Sequence, residues 1–412
     1  MTFVANPPEI FSASNLKPPC CSHGPTILLR DLHNPSHYYY SCSASRDLEF
    51  CSYKLSAIKW RKKSIDSQSH PCQSNQTECL ALKYKNFGFC EECSKLLVLT
   101  DSVDTVPSDH LYSHHRQCEN VIKSIDRETL KRPSHLLKPI IKNKSLAQYH
   151  FSEETINFLF EYVIEKFKFN QFICIGCPTL FEEINIKYPG NVSLLMDIDH
   201  RFRQFYSIEQ FLQFNMFNGY FFETFGEKIL SNKFKIGEKI LILIDPPFGG
   251  LIECLANSLQ QITRNYLNDH QIHWALFFPY FNEHWITRTF VEQKFKPADF
   301  MVTYRNHTKF ASHKKHQSPI RIFTDLNLLN FVGIDPANYK WCSECSRTTF
   351  ANNRHCFECD DCPGRDATKG LRHCTRCDRC VKSTWNHCEK CSTCHHYNNC
   401  NFKFKKLKSN KR

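Results

Sequence analysis

The sequence predicts an α/β protein, with a mostly parallel sheet in the middle of the chain and small zinc-binding modules at both ends. Three observations carry that expectation. Strand-length apolar runs alternate with helical patterns between residues 140 and 330, cysteines crowd the two ends, and Gly or Asp follows several apolar runs directly. In such sheets ligands gather at the carboxyl ends of the strands, which is where Gly176, Asp197, Asp199 and Asp245 fall.

Composition narrows the classes first. The 412 residues are 41% hydrophobic and 23% charged, which excludes a disordered tail or a collagen-like fibre, and the net charge of +12 favours an anionic partner such as nucleic acid. Met1 to Pro8 has neither a basic nor an apolar signal region. No apolar run nears the roughly 18 to 20 residues of a bilayer helix, so a soluble intracellular protein is expected. Of the 24 cysteines, nine lie in residues 20–118, three between Glu119 and Lys340, and twelve in 342–400. In a reducing compartment, C-x2-C beside His reads as zinc ligation, since thiolate and imidazole suit that ion's tetrahedral preference.

At the N-terminal end, Cys21 and His23 with Cys42 and Cys51 supply four ligands, with Cys20 as an alternative to Cys21. Tyr38, Tyr39 and Tyr40 read either as a base-stacking platform or as alternation in a half-buried strand. The polar stretch Arg61 to Glu78 reads as a linker. Cys90 and Cys93 open a second site. Its remaining ligands come from the run His110 to Cys118, where His114 and Cys118 stand four apart; His110 with His114 has the same spacing.

In the centre, Ser152 is an N-cap followed by Glu153 and Glu154. Ile156, Leu159, Phe160, Val163, Ile164 and Phe167 then repeat at helical spacing. Strands are expected at Phe172–Gly176, Val192–Met196, Ile240–Ile244, Trp274–Phe278, Phe300–Tyr304 and Ile320–Phe323, with a helical spacer over Leu251–Leu267. The fourth apolar residue of Leu241 to Ile244 runs into Asp245-Pro246-Pro247-Phe248. An exocyclic amine is a poor nucleophile because its lone pair is delocalised into the purine. The Asp245 carboxylate and the Pro246 carbonyl could each accept one amine hydrogen, Pro247 would stiffen the turn, and Phe248 could stack on an extruded base. The plain alternative is a strand-ending turn with Phe248 in the core.

This tetrapeptide resembles the D/N-P-P-F/Y/W signature of S-adenosylmethionine-dependent amino-group N-methyltransferases. Gln148-Tyr149-His150-Phe151, Ile175–Pro178, Leu195–Asp199, Phe214–Asn218, Asp245–Leu251, Phe278–Phe281 and Gln317–Thr324 follow in order. Together they resemble the zinc finger CCHC domain-containing protein 4 family of ribosomal-RNA N6-adenosine methyltransferases, from about Cys20 to about Cys394. The resemblance implies a Rossmann-like class I methyltransferase sheet, S-adenosyl-L-methionine as donor, structural Zn2+, adenosine N6 of large-subunit rRNA as acceptor, and a nuclear, nucleolar and cytoplasmic location. It implies a donor site lined by Gln148, Tyr149, His150 and Phe151, with a close backbone approach at Gly176. Asp197 or Asp199 would bind ribose hydroxyls or the donor's amino group, and Asn215 and Met216 would flank its adenine. Cys177-Pro178 stands where a G-x-G-x-x-G loop would have its second glycine. The family's spacing selects Cys21 over Cys20.

By the same resemblance, residues 15–60 form a GRF-type zinc finger lacking its Gly-Arg, 80–120 a C2H2/C2HC-type finger, 140–330 the methyltransferase domain, 338–400 a cysteine-rich module and 401–412 a basic tail. The cysteine-rich module offers Cys342 and Cys345; His355, Cys356, Cys359 and Cys362; His373, Cys374, Cys377 and Cys380; and His387, Cys388, Cys391 and Cys394. Four-ligand arithmetic gives about three sites of unspecified pairing. The rhythm is also similar to the DHHC module of palmitoyltransferases, which raises a rival acyl transfer through Cys388; that reading needs membrane helices and leaves Asp245–Phe248 unexplained. A second rival is a zinc-ribbon RNA-binding adaptor built on an inactive sheet. The family's C-x2-C-x4-H-x4-C knuckle is not found beyond Cys394, and the basic tail is expected to supply phosphate contacts instead.

Overall fold

The computed structural model describes residues 2–4, 17–45, 47–63, 79, 81, 86–99, 118, 120–139, 148–307, 318–328, 330–364, 370–396 and 400. Its centre is built from runs too apolar to face water on either side. Gln171–Ile175 (β1), Val192–Asp197 (β2), Phe211–Asn215 (β3), Tyr220–Phe221 (β4), Lys239–Ile244 (β5), Gln271–Pro279 (β6), Lys296–Ala298 (β7) and Ile320–Thr324 (β8) form one sheet in the order β4-β3-β2-β1-β5-β6-β8-β7. The pairs β3-β2, β2-β1, β1-β5 and β5-β6 are parallel; β4, β7 and β8 pair antiparallel. β1 is buried at every position, as a parallel strand covered on both faces must be.

Alternation assigns each strand residue a face. Phe172, Cys174, Leu241, Leu243 and Phe277 join one core; Ile173, Ile175, Ile240, Ile242 and Ile244 join the other. Glu153–Phe158 (α1) and Pro178–Lys187 (α2) cover the first face, and Gly226–Lys233 (α3), Ile252–Tyr266 (α4) and Glu283–Thr289 (α5) the second. The Ser152 hydroxyl caps α1 by accepting from Thr155 N–H at 3.3 Å, as expected. The helix then widens into a π-helical stretch, Leu159–Glu165, which still buries Leu159, Phe160, Val163 and Ile164. One expected strand is absent. Phe300–Tyr304 is irregular apart from a single bridge between Tyr304 and Phe151, and the edge strand forms earlier, at β7. Phe300, Val302, Thr303 and Tyr304 are buried because this segment packs between α1 and the C-terminal module, where the Phe300 ring stacks on Phe158 at 3.7 Å and on Tyr339 at 6.4 Å.

The flanking modules pack on these two faces. Ile27, Leu29 and Tyr39 of the first join the core of α3–α5, whereas Phe87, Phe89, Leu96 and Val98 of the second join that of α1 and α2. Gln204 clips the second module in place, accepting Leu96 N–H at 2.8 Å and donating to the Ser94 carbonyl at 3.1 Å. The C-terminal module is anchored by Arg347, paired at 3.3 Å with the fully buried Asp299 just after β7. No helix among the described residues is long and apolar enough to cross a membrane.

Candidate active site and zinc clusters

Strand order reverses between β1 and β5: β1 connects outward to β2 and β3, and β5 to β6 on the other side. The loops after these two strands therefore diverge and leave a crevice. A recess lies there, lined by Gln148, Gly176, Asp197, Asn215, Met216, Asp245 and Pro247 together with Ala44, Ile198, Phe214 and Phe217. Gly176 makes the close approach possible. Its φ is +68°, and a Cβ there would lie 2.9 Å from the Asp245 carbonyl and 2.7 Å from Met216 Cε.

Asp245 leaves β5 with its N–H bonded to the Ile175 carbonyl at 3.1 Å. The Tyr304 hydroxyl donates to its Oδ1 at 2.9 Å, and Oδ2 has no partner among the described residues. Burial pushes the carboxyl well above the usual range, against the pull of the Tyr304 hydrogen bond. The Gly250 N–H takes the Pro247 carbonyl at 2.9 Å, which closes the turn and leaves the Pro246 carbonyl without a backbone donor among the described residues.

Asp197 and Asp199 have different surroundings. Asp199 caps the following turn through Arg201 N–H, pairs with the Arg201 guanidinium at 2.6 Å and accepts from Gln148 at 3.2 Å. Asp197 lines the recess with no ion-pair partner among the described residues, and burial, then the charge of Asp199, push it up to about 7. Of the expected donor residues, Tyr149, His150, Phe151 and Asp199 do not line the recess. The Tyr149 and Phe151 rings lie 5.6 and 4.9 Å from that of Tyr304, so they buttress the residue that holds Asp245. His150 is buried, accepts from Arg305 at 3.1 Å, and is held down to about 4 by burial and that cation. Phe248 is half-buried, edge-on to Phe278 at 5.6 Å, and faces a second, open recess shared with Phe278, Asn282 and the exposed Trp285. Tyr304 itself went unrecognised in the sequence; its only signal was a polar tip ending an apolar run.

A tetrahedron with metal–sulfur bonds of about 2.3 Å has edges of about 3.8 Å. Among the described residues, the Cys/His sets whose ligand atoms lie within 4.8 Å of one another include Cys21, His23, Cys42, Cys51; Cys342, Cys345, His355, Cys362; Cys356, Cys359, His373, Cys380; Cys374, Cys377, His387, Cys394; and Cys388, Cys391, His395, Cys400. Representative edges are 3.8 Å for Cys359–Cys380, 3.7 Å for Cys377–Cys394 and 3.5 Å for Cys42–His23, so the residues fit zinc. In the second module Cys93 and Cys118 stand 3.5 Å apart and Cys90 accepts Cys93 N–H; His110 and His114 lie outside the described residues. The residue after the pairs Cys90–Cys93, Cys342–Cys345, Cys356–Cys359, Cys374–Cys377 and Cys388–Cys391, namely Ser94, Ser346, Asp360, Asp378 and Ser392, adopts a left-handed φ between 47° and 54°, so these five turns share one geometry.

The C-terminal module therefore carries four clusters, not about three. The sequence count omitted His395 and Cys400, which close the last one. The pairing is interleaved: His355-Cys356, His373-Cys374 and His387-Cys388 each send two adjacent residues to two successive clusters. Three arginines of this module have partners among the described residues. Arg347 pairs with Asp299 and Asp361, Arg376 with Glu389, and Arg372 donates to Asn386. Tyr38, Tyr39 and Tyr40 follow the strand alternation, with only Tyr39 buried.

Residues 142–322 match the family model described as "Probable N6-adenine methyltransferase". The chain is 34% identical over 370 residues to the rRNA N(6)-adenosine-methyltransferase ZCCHC4 of Xenopus laevis, covering 82% of this chain and 72% of that one. It is 32% identical over 389 residues to the Homo sapiens protein of the same name (85% and 72%) and 31% over 373 residues to that of Mus musculus (82% and 70%).

Proposed function

The chain belongs to the ZCCHC4 family of rRNA N6-adenosine methyltransferases, and from that premise we propose that it methylates N6 of an adenosine in large-subunit rRNA with S-adenosylmethionine as donor. The observation that carries the reading is the meeting of Asp245, Gly176 and Asp197 in one recess at the reversal of strand order. The donor, when bound, supplies an electrophilic methyl group. The fit rests on two features: a backbone at Gly176 that no Cβ obstructs, and a buried carboxylate at Asp197 suited to hydroxyls or an ammonium group. Gln148, Met216 and Phe214 would hold the remaining apolar and amide surface.

For the acceptor, the amine hydrogens go to Asp245 Oδ2 and the Pro246 carbonyl. Both accept in fixed directions, Asp245 because Tyr304 holds Oδ1 and Pro246 because its ring fixes φ. With its hydrogens so taken, the nitrogen lone pair is directed toward the methyl rather than into the ring. The second recess, walled by Phe248, Phe278 and Trp285, suits the flat face of a base turned out of its strand. Zinc in the cysteine clusters would hold the fold of the modules, which supply basic and aromatic surface such as Arg354, Lys382, Trp341 and Trp385 to flanking RNA. A nuclear, nucleolar and cytoplasmic location accords with such a substrate.

The test is incubation of the protein and labelled S-adenosylmethionine with separated rRNA, mRNA and DNA pools, followed by nucleoside analysis. Label in N6-methyladenosine from the large rRNA alone is expected; label on DNA or protein overturns the reading.

A further inference from the structure

We propose that the first cysteine-histidine module is a wall of the donor recess, so that the metal held by Cys21, His23, Cys42 and Cys51 sets donor affinity. This rests on the reading of that recess as the donor site. Ala44, two residues beyond Cys42, lines the recess beside Gly176 and Met216. The neighbouring wall is the end of β3, from Phe214 to Phe217, and its position is fixed by the module. Asn215, 1% exposed, donates from Nδ2 to the His23 carbonyl at 2.7 Å and to the Ser43 hydroxyl at 2.9 Å, while its Oδ1 accepts Phe217 N–H at 3.0 Å. Three residues on, Asn218 donates to the Pro25 carbonyl at 2.7 Å.

Two of these acceptors, the His23 carbonyl and the Ser43 hydroxyl, sit on a metal ligand or immediately beside one. If the cluster opens, the buried Asn215 loses both acceptors, and Ala44 leaves the recess. A buried amide without partners is costly, so the strand end has to rearrange. Phe214, Met216 and Phe217 then no longer present one surface to the ligand. A metal more than one shell removed from the methyl group thereby becomes part of donor recognition.

The experiment uses the full chain, calorimetric titration with S-adenosylmethionine, and zinc content measured on the same samples. Cys51→Ser removes a ligand that does not touch the recess. It is expected to lose one zinc per chain and to weaken donor binding at least about fivefold, the scale of one or more lost hydrogen bonds. Ala44→Leu leaves the ligands untouched and pushes bulk into the recess. It is expected to keep its zinc and its melting temperature and to weaken donor binding about tenfold or more. Donor affinity within about twofold of the unaltered chain in either variant overturns the proposal, in Cys51→Ser because the metal then does not set it and in Ala44→Leu because the module then is no wall. If Cys51→Ser does not stay folded, Ala44→Leu decides alone by the same criterion. An unaltered chain that binds no donor overturns the donor-site reading, and this proposal with it.

Discussion

The Tyr304 hydroxyl donates to Asp245 Oδ1 at 2.9 Å across 59 residues of sequence, and that bond opposes what burial does to the carboxyl. Burial raises the pKa, whereas a donor to the ionised form lowers it. In Tyr304→Phe the carboxyl therefore rises further. The acid limb of kcat/KM, along which activity climbs as Asp245 ionises, is expected to move to higher pH. Turnover at neutral pH should fall about tenfold, the scale of one charge-assisted hydrogen bond. A pH–rate profile checks both, and an unmoved limb assigns the titration elsewhere.

Asp245→Ala removes the acceptor itself. Turnover is expected to drop at least about 10²-fold while the donor dissociation constant changes far less, which single-turnover kinetics and titration separate. Near-normal turnover eliminates the assigned role.

Asp197 makes stability depend on pH. Unfolded, it releases its proton near its ordinary value of 3.8; folded, it does so near about 7, with Asp199 and the Arg201 guanidinium as its charged neighbours. Between those values the folded state holds the extra proton, so this group's contribution to stability falls as pH rises through the window and is level above it. The whole contribution is at most about 4 kcal/mol by linkage. Asp197→Asn is expected to flatten that slope in thermal melts at pH 4 to 8 and to weaken donor binding above pH 7.

Gly176→Ala places a methyl group against the Asp245 carbonyl on a left-handed backbone. A loss of about 1 to 3 kcal/mol in chemical denaturation is expected, the usual scale of such strain, together with weaker donor binding. Wild-type stability and affinity would mean that the turn relaxes freely.

Cys374→Ser with Cys377→Ser dismantles one C-terminal cluster, none of whose ligands lines the recess. RNA affinity and methylation are expected to fall together while donor titration remains as in the unaltered chain. Unchanged RNA binding refutes the assignment of RNA positioning to this module.

The site was legible where local chemistry and topology coincide. Asp245, Gly176 and Asp197 each follow an unbroken apolar strand, and strand ends at the order reversal meet whatever the loops do. What escaped depended on contacts between distant segments. Tyr304 acquires its role through a side chain 59 residues earlier, and Asn215 spends its amide on a module some 170 to 190 residues away. Tyr149 to Phe151 were expected to touch the donor, yet two of them support Tyr304, because a segment ahead of the first helix runs beneath the site. Metal ligands were readable by type and spacing but not by pairing. Interleaving breaks the assumption that neighbours in sequence serve one ion, and the His395–Cys400 end of the last cluster departs from the rhythm of its predecessors.

That interleaving makes the C-terminal module a chain of links with no slack. A single peptide bond joins the ligand of one cluster to the ligand of the next at His355-Cys356, His373-Cys374 and His387-Cys388. The distance from each ion to its neighbour is then set by backbone geometry, as graduations are set on a ruler. Removing one ion releases a residue directly coupled to the following cage. Demetallation should thus be cooperative along the module, and a partial shortage of zinc should yield intact and collapsed modules side by side in place of a graded population.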